Sequence, residues 1–284
     1  MFRSTSDRVL LGCLRGCAAL AGAILLLIVV FLVAESLPVL RHVGLAPFFT
    51  DSAWHPAEKL YNLTPMLWGT LFAMTGAVLV ATPLGILSAV FCHYYAPPVV
   101  ARLYRRLIEL LAGIPSVVYG FWGLVSLVPL IAKVRPPGTS LLAGIIILTI
   151  MILPTIALMA DAALAAVPQQ LLRGAAALGL SRWATIRGIV FPSAKSGLFT
   201  GVILETGRAI GETMAVLMVC GNVVEMPRSA FDPVRTLTAN IALEMSFALG
   251  DHRSALFVSG LLLMAIIVAL AVAAEVISKE RIYG

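Results

Sequence analysis

Charge-free apolar stretches alternate along the chain with polar, proline-rich ones, and the stretches are too long for strands. A helix crosses a bilayer with about 20 apolar residues. Gly16 to Ala34 is the first such stretch, preceded by Arg3, Arg8 and Arg15. Its length and the poor cleavage site at Leu32-Val33-Ala34 point to a retained signal-anchor helix rather than a cleaved leader. Leu60 to Ala101 holds no Asp, Glu, Lys or Arg, and the second span is placed at 66–91. Pro83 and Gly85 lie inside it, where a membrane helix tolerates them. Further spans are predicted at 110–131, 140–160, 197–221 and 254–274. The fold class is therefore all-α, a polytopic membrane protein with six transmembrane helices forming one domain over 1–284.

The connecting segments differ in character. Residues 35–65 are of mixed charge and contain Pro38, Pro47, Pro56 and Pro65, which disfavour one continuous helix. Trp54 and Tyr61 in this loop suit a membrane surface. A basic segment with Arg102, Arg105 and Arg106 precedes the third span. Residues 161–196 are rich in small residues, and 222–253 form a second loop of mixed charge.

Composition agrees with this pattern. Of 284 residues, 60% are hydrophobic and 12% charged, against about a quarter charged in soluble domains. The net charge of +6 comes without a basic run interleaved with aromatics, which argues against nucleic acid as a partner and leaves membrane lipid. Twelve of the twenty Lys and Arg residues fall on one side if the N-terminus is cytoplasmic, and seven on the other. The seven are matched by Glu35, Asp51, Glu58, Glu225, Asp232, Glu244 and Asp251. Excess positive charge marks the cytoplasmic side, so both termini are expected there. Cys13, Cys17, Cys92 and Cys220 form no CxxC pair and read as small apolar residues. His42, His55, His93 and His252 lack ligand spacing and read as loop or interface residues, so no metal is expected. Asn62-Leu63-Thr64 matches a glycosylation sequon by three residues only.

The last cation, Arg208, falls inside the fifth span with Glu205 and Glu212. A charge near the bilayer centre costs about 2.5–3.5 kcal/mol on insertion scales, so such groups pair or serve a polar path. Glu205 and Arg208 are i,i+3 and Arg208 and Glu212 are i,i+4, which puts all three on one face of a continuous helix. One reading is an ion-pair cluster that fixes helix packing. The other is a substrate path, and the guanidinium fork suits an oxyanion such as phosphate. A neighbouring carboxylate accepts a hydrogen bond from a protonated oxyanion and repels a fully ionised one. Gly201, Gly207 and Gly211 allow close approach of a ligand or a neighbouring helix equally.

Between spans four and five, residues 171–179 are mostly strong helix formers. Ser181 is placed to cap a second helix that Pro192 limits. This is either a plain connector or an elbow that enters a groove on another protein. Gly179, nine residues, then Ile189-Val190-Phe191-Pro192 resembles the EAA loop of ABC importer permeases. Arg173 stands at the family's Glu and Gly174 at its first Ala, followed by Ala175 and Ala176. The resemblance implies that this loop forms a coupling helix docked on an ATPase.

Two more segments resemble the phosphate-importer branch of that family, the PstC type. They are Glu109 to Leu124, reading ELLAGIPSVVYGFWGL, and Gly207 to Val216 with Gly221-Asn222. The resemblance implies a MetI-like permease core and a place for Arg208 and Glu212 in a phosphate pathway, with Glu205 added from helix spacing. Ser116 and Tyr119 either offer hydroxyls to that pathway or simply pack. It further implies a PstA-like companion permease, two PstB-like ATPases and a periplasmic phosphate-binding protein, in a bacterial inner membrane. The chain has no G-x-x-x-x-G-K-[ST] loop, so ATP and magnesium are expected on the partner ATPase and no cofactor here. A permease for sulfate or molybdate and a stand-alone channel or secondary transporter are the alternatives. No metal triad or nucleophile–His set supports an intramembrane enzyme.

Overall fold

A computed structural model describes the backbone of residues 5–280, with side chains from Val9 to Ala273. Arg3, Arg8, Lys279 and Arg281, four of the cations counted as cytoplasmic, fall outside the described side chains. Helix α1 spans Thr5–His42, and α2 spans Thr64–Val90 with a wide turn over Phe91–Tyr95. Helix α3 spans Pro98–Ala112, and α4 covers Ser116–Ala132. Helix α5 spans Leu141–Ala165 and α6 spans Gln169–Ala177. The long α7 opens at Arg182–Thr185, passes a wide turn at Ile186–Val190 and continues as Phe191–Gly211. Helices α8 (Met214–Val219), α9 (Leu237–Glu244) and α10 (Gly250–Glu280) complete the chain.

Among the described residues, four helices are long and apolar enough to cross a bilayer: α1, α2, α5 and α10. Helices α3 and α4 together are long and apolar enough for one more span, but they meet at 91°, the geometry of a broken span or a re-entrant loop. The expected third span at 110–131 is therefore not one helix. Pro115 disfavours helical geometry at Ile114, so the chain turns there and restarts at Ser116. The basic segment before it is helix α3, with Leu103, Leu107 and Leu110 exposed beside its arginines, the make-up of a helix lying at a membrane surface. The expected fifth span is also broken, between Gly211 and Met214. Pro192 does not end a helix as expected. The wide turn over Ile186–Val190 comes immediately before it and absorbs the geometry that the ring would otherwise clash with.

Helices α2 and α5 form the most extensive pair, at the centre of the molecule. Their backbones approach closely where Gly85 faces Ile156, since a Cβ on Gly85 would lie 2.7 Å from that side chain. Ile147, Ile152, Ala77 and Ala81 are fully buried in this interface. With no hydrophobic drive inside a bilayer, such small-residue packing holds the pair through dispersion.

One end of the molecule is capped by loops. Residues 35–65 do not stay irregular: α1 continues to His42, and Trp54–His55 pairs antiparallel with Leu60–Tyr61. Trp54 and Tyr61 are buried there rather than placed at a membrane surface, packed with Phe48, Leu63 and Leu256. At the other end, the start of α7 packs on Ala89, Val90 and Leu164 through Ile186 and Val190, and α6 packs against the same cluster through Leu172.

Candidate functional site: a broken helix with one loosely held arginine

The break between α7 and α8 is built by hydrogen bonds rather than by a missing turn. Glu212 adopts an extended backbone, with φ −66° and ψ 126°. Its Oε1 accepts from the N–H of Ala215 at 3.1 Å, supplying a partner to an orphan donor of the next helix. Its carbonyl accepts from Thr238 Oγ1 at 2.9 Å, which ties the break to α9. Thr213 Oγ1 donates back to the Gly211 carbonyl.

This break changes the expected charge cluster. Glu205, Arg208 and Glu212 do not share one helix face, because the helix ends before Glu212. Among the described residues, Arg208 forms an ion pair with Glu205 and none with Glu212. The Arg208 Nη1 to Glu205 Oε2 distance is 3.9 Å, too long for a hydrogen bond. Glu205 is 8% exposed, and its Oε2 has no hydrogen-bond partner. The Arg208 side chain is 38% exposed. The guanidinium therefore keeps donors free on an open side while a buried carboxylate offsets its charge from the other.

The glycines around it divide. Gly201 packs on Met159, whereas a Cβ at Gly207 or Gly211 would meet nothing within 4 Å. Space is thus open on both sides of Arg208 along the helix. Tyr119 is buried, and its hydroxyl donates to the Leu111 carbonyl at 2.8 Å. It serves the α3–α4 bend rather than presenting a free hydroxyl. Ser116 opens α4 and is partly exposed.

The elbow between α5 and α7 has defined ends. Gly179, at φ +69°, stops α6 in a left-handed turn. Its N–H bonds the Ala176 carbonyl, and the Leu180 N–H bonds the Ala175 carbonyl, a complete Schellman motif. Ser181 then caps α7 by accepting from Ala184 N, as its position in the sequence implies. Ala175 is buried, while Arg173, Gly174, Ala176, Gly179 and Pro192 are exposed and Ile189 half-buried. Leu178, Leu180 and Trp183 are exposed beside Arg182 and Arg187. The base of this end is clamped by Asp161, whose two oxygens accept from Arg105 Nε at 2.9 Å and Nη2 at 3.0 Å.

Spacing along the chain gives no sign of a third polar cluster. In the capped end, Glu244 accepts from Trp54 Nε1 at 2.9 Å, Arg235 Nη1 at 2.6 Å and His252 Nε2 at 2.8 Å. Three separate segments thus meet on one carboxylate, at the edge of a cleft of about 770 Å³. Arg235 also donates to Asn240 and to the Asn222 carbonyl. Arg253 with Glu35 and Arg135 with Asp232 extend the pairing. Burial pushes the Tyr61 phenol up from its ordinary range, and Asp251 and Asp51 push the same way. The signal for this cluster was the even balance of charges across the outer loops, but the partners lie up to 190 residues apart.

Residues 81–282 match the family model described as binding-protein-dependent transport system inner membrane component. A Bacillus subtilis protein described as a probable ABC transporter permease is 43% identical over 81% of this chain and 76% of its own. A phosphate transport system permease protein PstC of Mesorhizobium japonicum is 36% identical over 77% of this chain and 74% of its own. The fold is also found in a bacterial alginate ABC transporter, with a TM-score of 0.68 at 13% identity over 98% of each chain. The inward-facing MetNI methionine ABC transporter matches with a TM-score of 0.63 at 20% identity, over 77% of this chain and 95% of its own.

Proposed function

The chain belongs to the family of binding-protein-dependent transport system inner membrane components, and we propose that it is the phosphate-conducting permease subunit of an ATP-driven importer. It is a multi-pass membrane protein and a transport subunit rather than an enzyme. The observation that carries the substrate assignment is Arg208, a cation with free donors beside open space, in a segment whose sequence resembles phosphate permeases. A guanidinium presents parallel N–H donors that match two oxygens of a phosphate. Relatives named as phosphate transport permeases support the same reading.

In this reading Arg208 receives phosphate as it passes, and Glu205 offsets the arginine when the path is empty. Glu212 holds the helix break that gives Arg208 its open side. A companion permease of the PstA type supplies the other half of the path. Two PstB-like ATPases, with their ATP and magnesium, dock on the elbow, and a periplasmic phosphate-binding protein delivers substrate to the capped end. The membrane is the bacterial inner membrane, with both termini cytoplasmic. The exposed Leu178 and Trp183 on a stiffly terminated turn give the ATPase a surface to push.

The test is uptake of radiolabelled phosphate, competed with sulfate, in cells with and without this subunit. Arg208→Ala is expected to reduce uptake to background while assembly in the membrane persists. Normal uptake by that variant would overturn the site. Sulfate uptake that depends on the subunit would move the substrate to another oxyanion.

A further inference from the structure

Three carboxylates, Glu205, Glu212 and Glu244, stand at the polar sites, and their bonding differs. Glu212 spends an oxygen on Ala215 N, and Glu244 is filled by three donors. Glu205 alone of the three has a buried oxygen, Oε2, without a partner. An unsatisfied buried carboxylate is costly, and its persistence calls for a ligand or a function. Among the described residues its ion-pair partner is Arg208, whose Nη1 at 3.9 Å attracts it without closing a hydrogen bond.

We infer that Glu205 is the specificity-determining residue of the pathway, the group that reads the proton on hydrogen phosphate. This rests on the phosphate reading of Arg208. An oxyanion oxygen bonded to Arg208 sits within a few ångströms of the Glu205 carboxylate, because the two side chains are already that close. Both forms of phosphate present near neutral pH carry at least one P–O–H. That hydroxyl donates to the carboxylate, filling the empty acceptor, and no proton is transferred. Sulfate has no proton to donate, so its oxygens meet the carboxylate with like charge and leave the acceptor unfilled. A site built to bond a hydroxyl rejects the analogue that lacks it far more strongly than a pocket that only measures size.

The experiment uses the purified complex of both permeases and the ATPase without the periplasmic binding protein, whose own selectivity would mask the effect. Equilibrium binding of radiolabelled phosphate is competed with sulfate. Glu205→Gln is expected to weaken phosphate about tenfold and to lower the preference over sulfate by about tenfold or more. Glu205→Asp keeps the charge and should keep most of the preference. Glu212→Gln, which loosens the helix break, lowers binding of both anions without changing their ratio. Retention of affinity and preference by Glu205→Gln overturns the inference, as does a wild-type complex with no preference for phosphate. If neither Glu205 variant assembles with its partners, Glu205 is a packing residue and the inference also falls. Unchanged phosphate binding by Arg208→Ala, in contrast, defeats the phosphate reading of the site itself.

Discussion

Glu205 and Glu244 are both largely buried carboxylates next to an arginine, yet one is saturated and the other is not. Glu244 takes three hydrogen bonds of 2.6–2.9 Å from the hairpin, the loop before α9 and helix α10. Glu205 has an arginine at 3.9 Å and an oxygen with no partner. A filled carboxylate stitches elements together and has nothing left for a ligand. An underfilled one contributes little to holding the fold, and its unmet acceptor is open to a hydroxyl donor. The distinction is set by bonding rather than burial, since the two side chains are almost equally enclosed, at 13% and 11% exposed.

The contrast breaks most visibly if Arg208→Ala, which should remove uptake entirely, also melts the protein. Its partner is loosely held, so the thermal midpoint of the purified variant should stay near wild type. The reverse pattern is expected at the other carboxylate. Glu244→Ala leaves the half-buried Arg235 with only Asn240 and the Asn222 carbonyl as partners and should cost about 1.5–3 kcal/mol, read as a lowered melting temperature in detergent. An unchanged midpoint would show that the capped end is held by its apolar cluster alone.

Smaller effects sharpen the picture. Gly179→Val forces a β-branched side chain into a left-handed turn and should cost about 1–3 kcal/mol locally. Because a Cβ there meets nothing within 4 Å, the cost is backbone strain. The readout is loss of ATPase co-purification with little change in the rest of the fold. The smallest change is expected from Trp54→Phe, which removes one of three donors to Glu244 and should cost about 1 kcal/mol. A loss as large as that of Glu244→Ala would make the tryptophan, rather than the carboxylate, the hub.

Much of this molecule is legible along the chain. Apolar runs place α1, α2, α5 and α10, because a bilayer demands length and absence of charge, both local properties. Ser181 as a cap and the elbow spacing are equally local. The breaks were harder to read. Pro115 signals a stop, but a continuous apolar run around it hides the 91° bend. Gly211 and Glu212 give no warning that the backbone turns extended, since the bonds that hold the turn come from Ala215 and Thr238.

The linear pattern alone marks a membrane permease with an elbow and an arginine where a lipid-facing helix could not keep one. It also determined that Glu205 lies one turn from that arginine. Which carboxylate faces Arg208 depends on the three-dimensional fold. Helical periodicity makes Glu205 and Glu212 equivalent, and the chain breaks that symmetry by ending the helix between Arg208 and Glu212. The fold also makes Glu244 a hub, because its donors at Trp54, Arg235 and His252 converge only when the outer loops fold over the helix ends. Spacing rules reach one or two turns. Hydrogen-bond satisfaction, which separates a structural carboxylate from an available one, depends on groups that the chain brings together from far apart.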